Sequence, residues 1–355
     1  MSDSVILALN CGSSSIKFAV FDASTQPLPR TPLWGGKVQG IGGATPHFDE
    51  TGSASQAIQL DAEHPNTAAL ALIRERVTQR LQGRRLAGVV HRVVHGGQHY
   101  FAATRVTQQV IDELRSYIPL APLHQPFPLK AMSLLLAQHP DVPQVACFDT
   151  GFHRTTGPVE QMFALPWTAW ERGVRRYGFH GLSHRHVLEA VSGALDRAPE
   201  DLRIISCHLG NGASVCAIDR GRSIDTSMGM TALEGLVMGT RSGDLDPGVQ
   251  AFVARTLGLD PAQIEAALYH DSGLKALSGI GADLREIEAR ARQGHAGART
   301  ALQVHAYRVR KYIGAYAAAM GGCDAVAFTG GAGENSAALR RRILEGLQFL
   351  GVRLD

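Results

Sequence analysis

The sequence predicts an α/β protein of two domains built on a repeated plan, with a cleft between them. Three observations carry this. Apolar strand-length runs alternate with helical stretches along the chain. A strand, a small polar turn and a second strand occur twice, first over residues 5–21 and again over 204–218, closed by Asp22 and Asp219. With 355 residues, the chain is longer than one compact core usually holds. The division is placed between residues 150 and 151.

In the first copy, VILALN (5–10) and IKFAVF (16–21) flank CGSSS (11–15). In the second, residues 204–207 and 214–218 flank Gly210-Asn211-Gly212, a strong hairpin signal. Small residues at such a tip leave backbone N–H groups uncovered, so it can approach a phosphate closely. A purely structural turn uses the same residues; the repetition is what favours a pair of phosphate-holding turns.

Composition excludes several classes. Apolar residues make up 45% and charged residues 19%, as in a globular domain, and a net charge of +3 is too small to argue for nucleic acid or an anionic membrane. No apolar run reaches spanning length and no basic flank introduces one, which points to the cytoplasm. The five cysteines are odd in number, sit in or beside apolar runs and form no Cys-x-x-Cys, so they read as reduced core residues.

Further along, residues 27–52 read as irregular segments and edge strands. Asn66-Thr67 is expected to cap a helix ending near Gly83. The strand 86–90 leads to Arg92 and the Gly96-Gly97 turn. An arginine there either pairs with a core carboxylate or forks a ligand anion. Proline-dense 119–128 reads as a rigid loop, followed by a helix from Leu129 to Gln138. The strand 144–148 ends in Asp149, a common active-site position and a common cap.

Ser183 is expected to cap the helix through Leu195. His180, His184 and His186 invite a metal reading, but no Glu stands at the spacing of a metal hydrolase. Arg241, among glycines and small residues, can be presented to a ligand or neutralised by Asp244 and Asp246. A helix over 298–320 shows an apolar stripe through Leu302, His305, Val309 and Ile313. The strand 324–328, the glycine-rich turn TGGAGEN (329–335) and a helix over 336–347 form a nucleotide-binding arrangement. Neither a GxGxxG fingerprint nor a Walker P-loop is present.

The repeated hairpins resemble the superfamily of acetate and sugar kinases, Hsp70 and actin. Motifs in order over nearly the whole chain make the likeness specific to the acetate kinase family: NCGSSSIK (10–17), HRVVHGG (91–97), PLH (122–124), FDT (148–150), YGFHG (177–181), HLGNG (208–212), MGTRSGDLDP (238–247) and FTGGAGEN (328–335). The resemblance implies a duplicated actin-like fold, with residues 1–150 as the acyl-substrate and phosphate domain and 151–355 as the nucleotide-binding domain. It also implies a homodimer and reversible, direct in-line transfer of the ATP γ-phosphoryl group to acetate with Mg²⁺.

Residue by residue, the resemblance implies Arg92 for the substrate carboxylate, Arg241 and His180 for the moving phosphoryl group, and Asp149 as the catalytic acid/base. Acetate is already ionised at neutral pH, so ordering Mg²⁺ and its waters suits Asp149 better than proton abstraction. Val94, Leu123, His124 and Phe179 match the acyl site and Asn10 the magnesium site. Lys17, Ser13 and Ser15 match phosphate contacts. His208, Leu209, Gly210, Asn211 and Gly212, then Asp283, Leu284 and Arg285, then Gly331, Ala332, Gly333, Glu334 and Asn335, match ATP-binding stretches. Two departures stand out. Ala232 replaces a frequent proline, which would let propionate fit. Family members also continue past this sequence's last residue through a magnesium-site Glu and a helix returning to the first domain, so the sequence as written is expected to bind Mg·ATP weakly. A nucleotide-binding protein without catalysis is the alternative on that account.

Overall fold

The computed structural model describes residues 3–353; Leu354 and Asp355 of the expected second domain lie outside the described residues. The chain forms two compact units, Met1–Gly151 and Phe152–Asp355.

In the first unit β1 (Ser4–Cys11) and β2 (Ser15–Asp22) pair antiparallel, with Cys11 opposite Ile16. Alternation decides the faces: Val5, Leu7 and Leu9 on β1 and Ile16, Phe18 and Val20 on β2 are buried, while Lys17 is exposed. β3 (Trp34–Gln39), β4 (His47–Glu50) and β5 (Gln56–Ala57) extend the sheet antiparallel. On the other side of β1 lies β6 (Arg85–Val93), then β8 (Gln144–Phe148), both parallel to it, with β7 (Thr104–Arg105) at the edge.

Three helices accompany this sheet. Pro65–Leu81 buries Ala69, Ile73 and Val77 at helical spacing. Its N-cap is His64, not the expected Asn66-Thr67 pair; Pro65 at the first position has no N–H to satisfy and starts the helix without a side-chain cap. Gln108–Arg115 is capped by Thr107, whose hydroxyl accepts from the Val110 N–H at 3.2 Å. Pro126–Gln138 begins a turn earlier than Leu129, again on a proline.

The second unit holds β9 (Arg203–Leu209), β10 (Ala213–Asp219), β11 (Arg222–Thr226) and β12 (Ala325–Thr329) in the order β11-β10-β9-β12. β9, β10 and β11 are antiparallel and β12 runs parallel to β9. β10 is buried from Ala213 to Ile218, so both of its faces are covered. The helix Ala296–Met320 packs along β9 and β10 through Val309, Ile313 and Tyr316. His305 on it is buried and donates from Nδ1–H to the Val237 carbonyl at 2.8 Å.

Two expectations in this unit need correction. The helix Gly181–Leu195 is capped at His180; Ser183 lies inside its first turn. The glycine-rich turn is itself helical over Gly330–Asn335, followed by Ser336 as the cap of Ala337–Leu344. Gly330 has φ +77, and a Cβ there would meet the Leu209 carbonyl oxygen at 2.6 Å, so the chain turns tightly against the end of β9.

Candidate active site

Parallel pairing gathers the first cluster. The register sets Leu9 beside His91 and Val93 beside Phe148, so Asn10, Arg92 and Asp149 lie together at the carboxyl ends of β1, β6 and β8. Arg92 Nε donates to Asp149 Oδ1 at 3.0 Å, Nη2 donates to Oδ2 at 2.5 Å, and Nη1 donates to Asn10 Oδ1 at 3.2 Å. The Asp149 side chain is 2% exposed and that of Arg92 34%. A ligand can therefore reach the cation, while the carboxylate sits behind it. The Asp149 charge pushes the Arg92 pKa above its ordinary value, so the guanidinium stays protonated.

Lys17 faces Asn10 across the hairpin, which puts Lys17, Asn10 and Arg92 in one row over three strands. Ser13 is exposed in the β1–β2 turn and Ser15 opens β2. Beyond Arg92, the proline-dense loop carrying Leu123 and His124 is also tied down by Gln125. This buried amide accepts from the His95 N–H at 3.0 Å and donates to the His95 carbonyl at 2.8 Å. Val94 and Leu123 are partly exposed.

The second unit gathers His180, the Gly210–Gly212 tip and Arg241. A Cβ placed on Gly212 would lie 3.5 Å from His180 Nε2 and 3.7 Å from Arg241 Nη1, so both nitrogens border one small volume beside the tip. Arg241 Nη1 donates to the Ala232 carbonyl at 3.0 Å. Burial lowers the Arg241 pKa. Asp244 accepts from the Gly235 N–H at 2.9 Å and from the Tyr312 hydroxyl at 2.8 Å, and Asp246 caps the helix Pro247–Leu257. Gly273, at φ +65, is packed against the Met238 carbonyl and the Arg241 backbone, where a Cβ would meet atoms at 2.3 and 2.7 Å. Nothing in the local sequence marked it, because the need arises from a distant loop.

His180 itself has φ 58, a left-handed conformation that is costly for a residue with a side chain. The segment before it is held firmly. His153 Nε2 donates to the carbonyl of the buried Phe179 at 2.9 Å, and Gly178 N–H donates to the Gly229 carbonyl at 3.2 Å. The His180 ring stacks on His208, with centroids 4.2 Å apart, and His208 Nδ1 meets the Ser183 hydroxyl at 2.9 Å.

Behind His180 lies a set of residues that motif reading passed over. Ser214 Oγ stands 2.8 Å from His180 Nδ1 and 2.9 Å from His184 Nε2, and His184 Nδ1 stands 2.8 Å from Ser206 Oγ. His184, Ser206 and Ser214 are all completely buried, whereas His186 is exposed. Burial holds the His184 pKa far below the ordinary imidazole value, so that ring is neutral. The available signal was a serine inside each of two otherwise apolar strands, which demands a buried partner.

Two of the three expected nucleotide stretches meet. Leu209, at the end of β9, packs on Gly333, whose Cβ position is 3.6 Å from the Leu209 Cβ. Within residues 329–335 the groups bond one another: Thr329 donates to Glu334 at 3.0 Å and Asn335 to the Gly331 carbonyl at 2.9 Å. Ala332 is partly buried and Gly331 has open space around it. The third stretch is turned on itself. Asp283 caps Leu284–Arg292 and pairs with Arg285, whose side chain is 91% exposed.

The chain matches the acetokinase family over residues 5–355. It is 43% identical to the acetate kinase of Halothermothrix orenii, over 99% of this chain and 89% of that protein. Its structure resembles the crystal structure of Porphyromonas gingivalis acetate kinase, with a TM-score of 0.88 at 38% identity, covering 99% and 89% of the two chains. It also resembles a propionate kinase from Francisella tularensis, with a TM-score of 0.91 at 34% identity, covering 99% and 90%. With its α/β architecture and mixed sheets, the chain belongs to the acetokinase family.

Proposed function

We propose that this chain is a carboxyl-group phosphotransferase that moves the γ-phosphoryl group of ATP to acetate, reversibly, giving acetyl phosphate and ADP. The family match over residues 5–355 carries the reading. The chemistry of the site is in keeping with it. Passing a phosphoryl group between two anions calls for cations and hydrogen-bond donors more than for covalent catalysis. In this reading Arg92 takes the substrate carboxylate, and Arg241 and His180 take the equatorial oxygens of the group in flight. Asp149, which grips Nε and Nη2 of Arg92, aims that guanidinium and needs to remove no proton.

The residues present suit a hard cation. Asn10 Oδ1 and the Asp149 carboxylate are oxygen donors at the ends of β1 and β8, on either side of β6, and oxygen is the ligand type Mg²⁺ prefers. Both bond Arg92; in the family reading Asn10 would hold the ion directly and Asp149 would order its water. Bound Mg²⁺ supplies neutralisation of phosphate charge. Lys17, Ser13, Ser15, the His208–Gly212 tip, Gly331–Asn335 and Asp283–Arg285 are read as the ATP contacts, and Val94, Leu123, His124 and Phe179 as the acyl site. In this reading the first unit supplies most of the acyl site together with phosphate contacts, and the second supplies most of the nucleotide contacts together with Phe179. We read the protein as a cytoplasmic homodimer; among the described residues no helix is long and apolar enough to cross a membrane.

The test is phosphoryl transfer assayed side by side with acetate, propionate and butyrate, trapping the acyl phosphate as hydroxamate. Acetate should give the highest kcat/KM. A propionate preference would move the chain to the second reading, which the similarity to the Francisella enzyme and the small Ala232 favour. ATP binding without hydroxamate from any acid would overturn both.

A further inference from the structure

We propose that Ser206, His184 and Ser214 form a proton-ordering relay that fixes His180 as the Nε2–H tautomer, which makes Ser214 and His184 positioning residues. The relay is a line of three contacts: Ser206 Oγ to His184 Nδ1 at 2.8 Å, His184 Nε2 to Ser214 Oγ at 2.9 Å, and Ser214 Oγ to His180 Nδ1 at 2.8 Å. A neutral imidazole has one N–H and one lone pair, and a hydroxyl has one proton. With the Ser214 proton in the line, once one member's orientation is chosen, every other member's follows. Two states make all three contacts and also place the buried Ser214 proton in one of them; a third, in which Ser214 accepts from both rings, leaves that proton outside the line and is disfavoured by burial. In one of the first two, Ser206 donates to His184 Nδ1, His184 Nε2–H donates to Ser214, and Ser214 donates to His180 Nδ1. His180 then carries its proton on Nε2. In the other, every bond is reversed and His180 Nε2 is a bare lone pair.

Three observations support the line as a unit. His184 is neutral, so it cannot donate from both nitrogens and uncouple the two serines. All three inner members are completely buried, so water cannot relieve a mismatch, and an unmatched polar group there is costly. His184 lies in the first turn of the helix Gly181–Leu195, where the positive end of the helix further disfavours an imidazolium on that ring.

What selects the direction is the surroundings of His180 Nε2. It borders the small volume beside Gly212 that Arg241 Nη1 also borders. A second donor there suits an anion's oxygens; a lone pair would repel them. This choice of direction rests on the phosphotransfer reading, but the tautomer is a property of the chain alone.

The experiment is therefore spectroscopic first. The full chain, labelled with ¹⁵N-histidine, is studied without ligand at neutral pH, and the His180 signals are identified by their loss in His180→Gln. We expect the Nε2–H pattern for His180. In Ser214→Ala the two tautomers should mix, and kcat for acetyl phosphate formation should fall about 10–100-fold with KM for acetate and ATP nearly unchanged. Ser206→Ala should act in the same direction more weakly, and Ser214→Thr, which keeps the hydroxyl, should restore both the tautomer and the rate. A wild-type His180 protonated on Nδ1, or a Ser214→Ala protein with unaltered tautomer, overturns the relay, and the first of these needs no variant to fold. A wild-type protein with the Nε2–H pattern but no phosphoryl transfer would sink the proposed function and leave the relay standing.

Discussion

The two units share a plan and differ in charge. Each has an antiparallel hairpin, β1–β2 or β9–β10, a third antiparallel strand on one side, β3 or β11, and a parallel strand on the other, β6 or β12. In the first unit the cluster on this frame is an ion pair, with Asp149 buried behind a reachable Arg92. In the second it is an arginine bonded to the neutral Ala232 carbonyl, beside imidazoles ordered by serines. A compensated guanidinium is suited to aiming, because its geometry is fixed and its net field is small. Burial disfavours the Arg241 charge, and an incoming anion would offset that cost. The same topology thus supports a holder in one unit and a charge stabiliser in the other.

The largest expected effect tests the charge half of that contrast. Arg241→Ala should lower kcat by about 10³-fold, the usual scale for a cation that meets a phosphoryl group in flight. Its thermal stability should hardly change, since burial already disfavours the charge that is removed. Arg92→Ala should also lose most turnover, yet behave differently on unfolding. The structure shows that losing Arg92 leaves Asp149 buried without its cation, at a cost of about 3 kcal/mol, the low end for a broken buried pair because Arg92 is partly exposed. Urea denaturation measures this. Adding Asp149→Asn to Arg92→Ala should recover stability and no activity. Equal stability losses for Arg241→Ala and Arg92→Ala would erase the distinction between the units.

Next comes the small volume beside the second hairpin tip. Gly212→Ala fits sterically, with its methyl at 3.5 Å from His180 Nε2 and 3.7 Å from Arg241 Nη1. It should fold normally and lose about 10²-fold in kcat/KM by displacing the phosphoryl group. Gly235→Ala is the control of opposite character. Its φ is +106 and its Cβ would fall 2.4 Å from the Ser227 carbonyl oxygen, so stability should drop by about 1–3 kcal/mol, and thermal unfolding separates the two cases.

Acid sensitivity is smaller and is shared unequally. Burial pushes the His91 pKa in the first unit down to about 4, and it lowers those of His184 and His305 in the second. All three are neutral when folded and take a proton when unfolded below the ordinary value of 6.5. The unfolded state then binds more protons, so stability is full above 6.5 and falls as pH drops from there toward about 4. Each group contributes up to about 1.4 kcal/mol per pH unit. Denaturation midpoints should therefore decline between neutral pH and about pH 5, and His91→Gln should flatten part of that slope.

Most of the frame was legible because it follows from local pattern. Apolar runs flanking a small polar turn marked β1 with β2 and β9 with β10, and helical spacing marked Ala296–Met320. The helix starts at Pro65 and Gly181 were misplaced, since proline at a first position and a strained histidine can each begin a helix without a side-chain cap. The glycine-rich stretch 329–335 was read as a turn because glycine disfavours helix, but close packing of Gly330 and Gly333 on Leu209 outweighs that small propensity cost. Arg92 showed its location and not its partner, because Asp149 reaches it only through the parallel register of β6 and β8. The Ser206–His184–Ser214 line was hidden for the same reason, with every contact joining residues far apart in sequence.

The smallest effect asks which unit reads the acyl group. Val94 and Leu123 belong to the first unit, whereas Ala232 of the second gives its carbonyl to Arg241. If the acyl chain is sensed only in the first unit, Ala232→Pro changes the rate but not the ratio of kcat/KM for acetate over propionate. If Ala232 leaves room for an extra methylene, proline fills that room and raises the ratio by about tenfold, the scale of one methylene in a pocket of about 1–3 kcal/mol discrimination. We expect the rise, because proline retains the carbonyl that Arg241 uses while adding ring atoms next to it. An unchanged ratio with lowered rates would assign acyl selection to Val94 and Leu123 alone and leave the second unit concerned purely with the phosphoryl group.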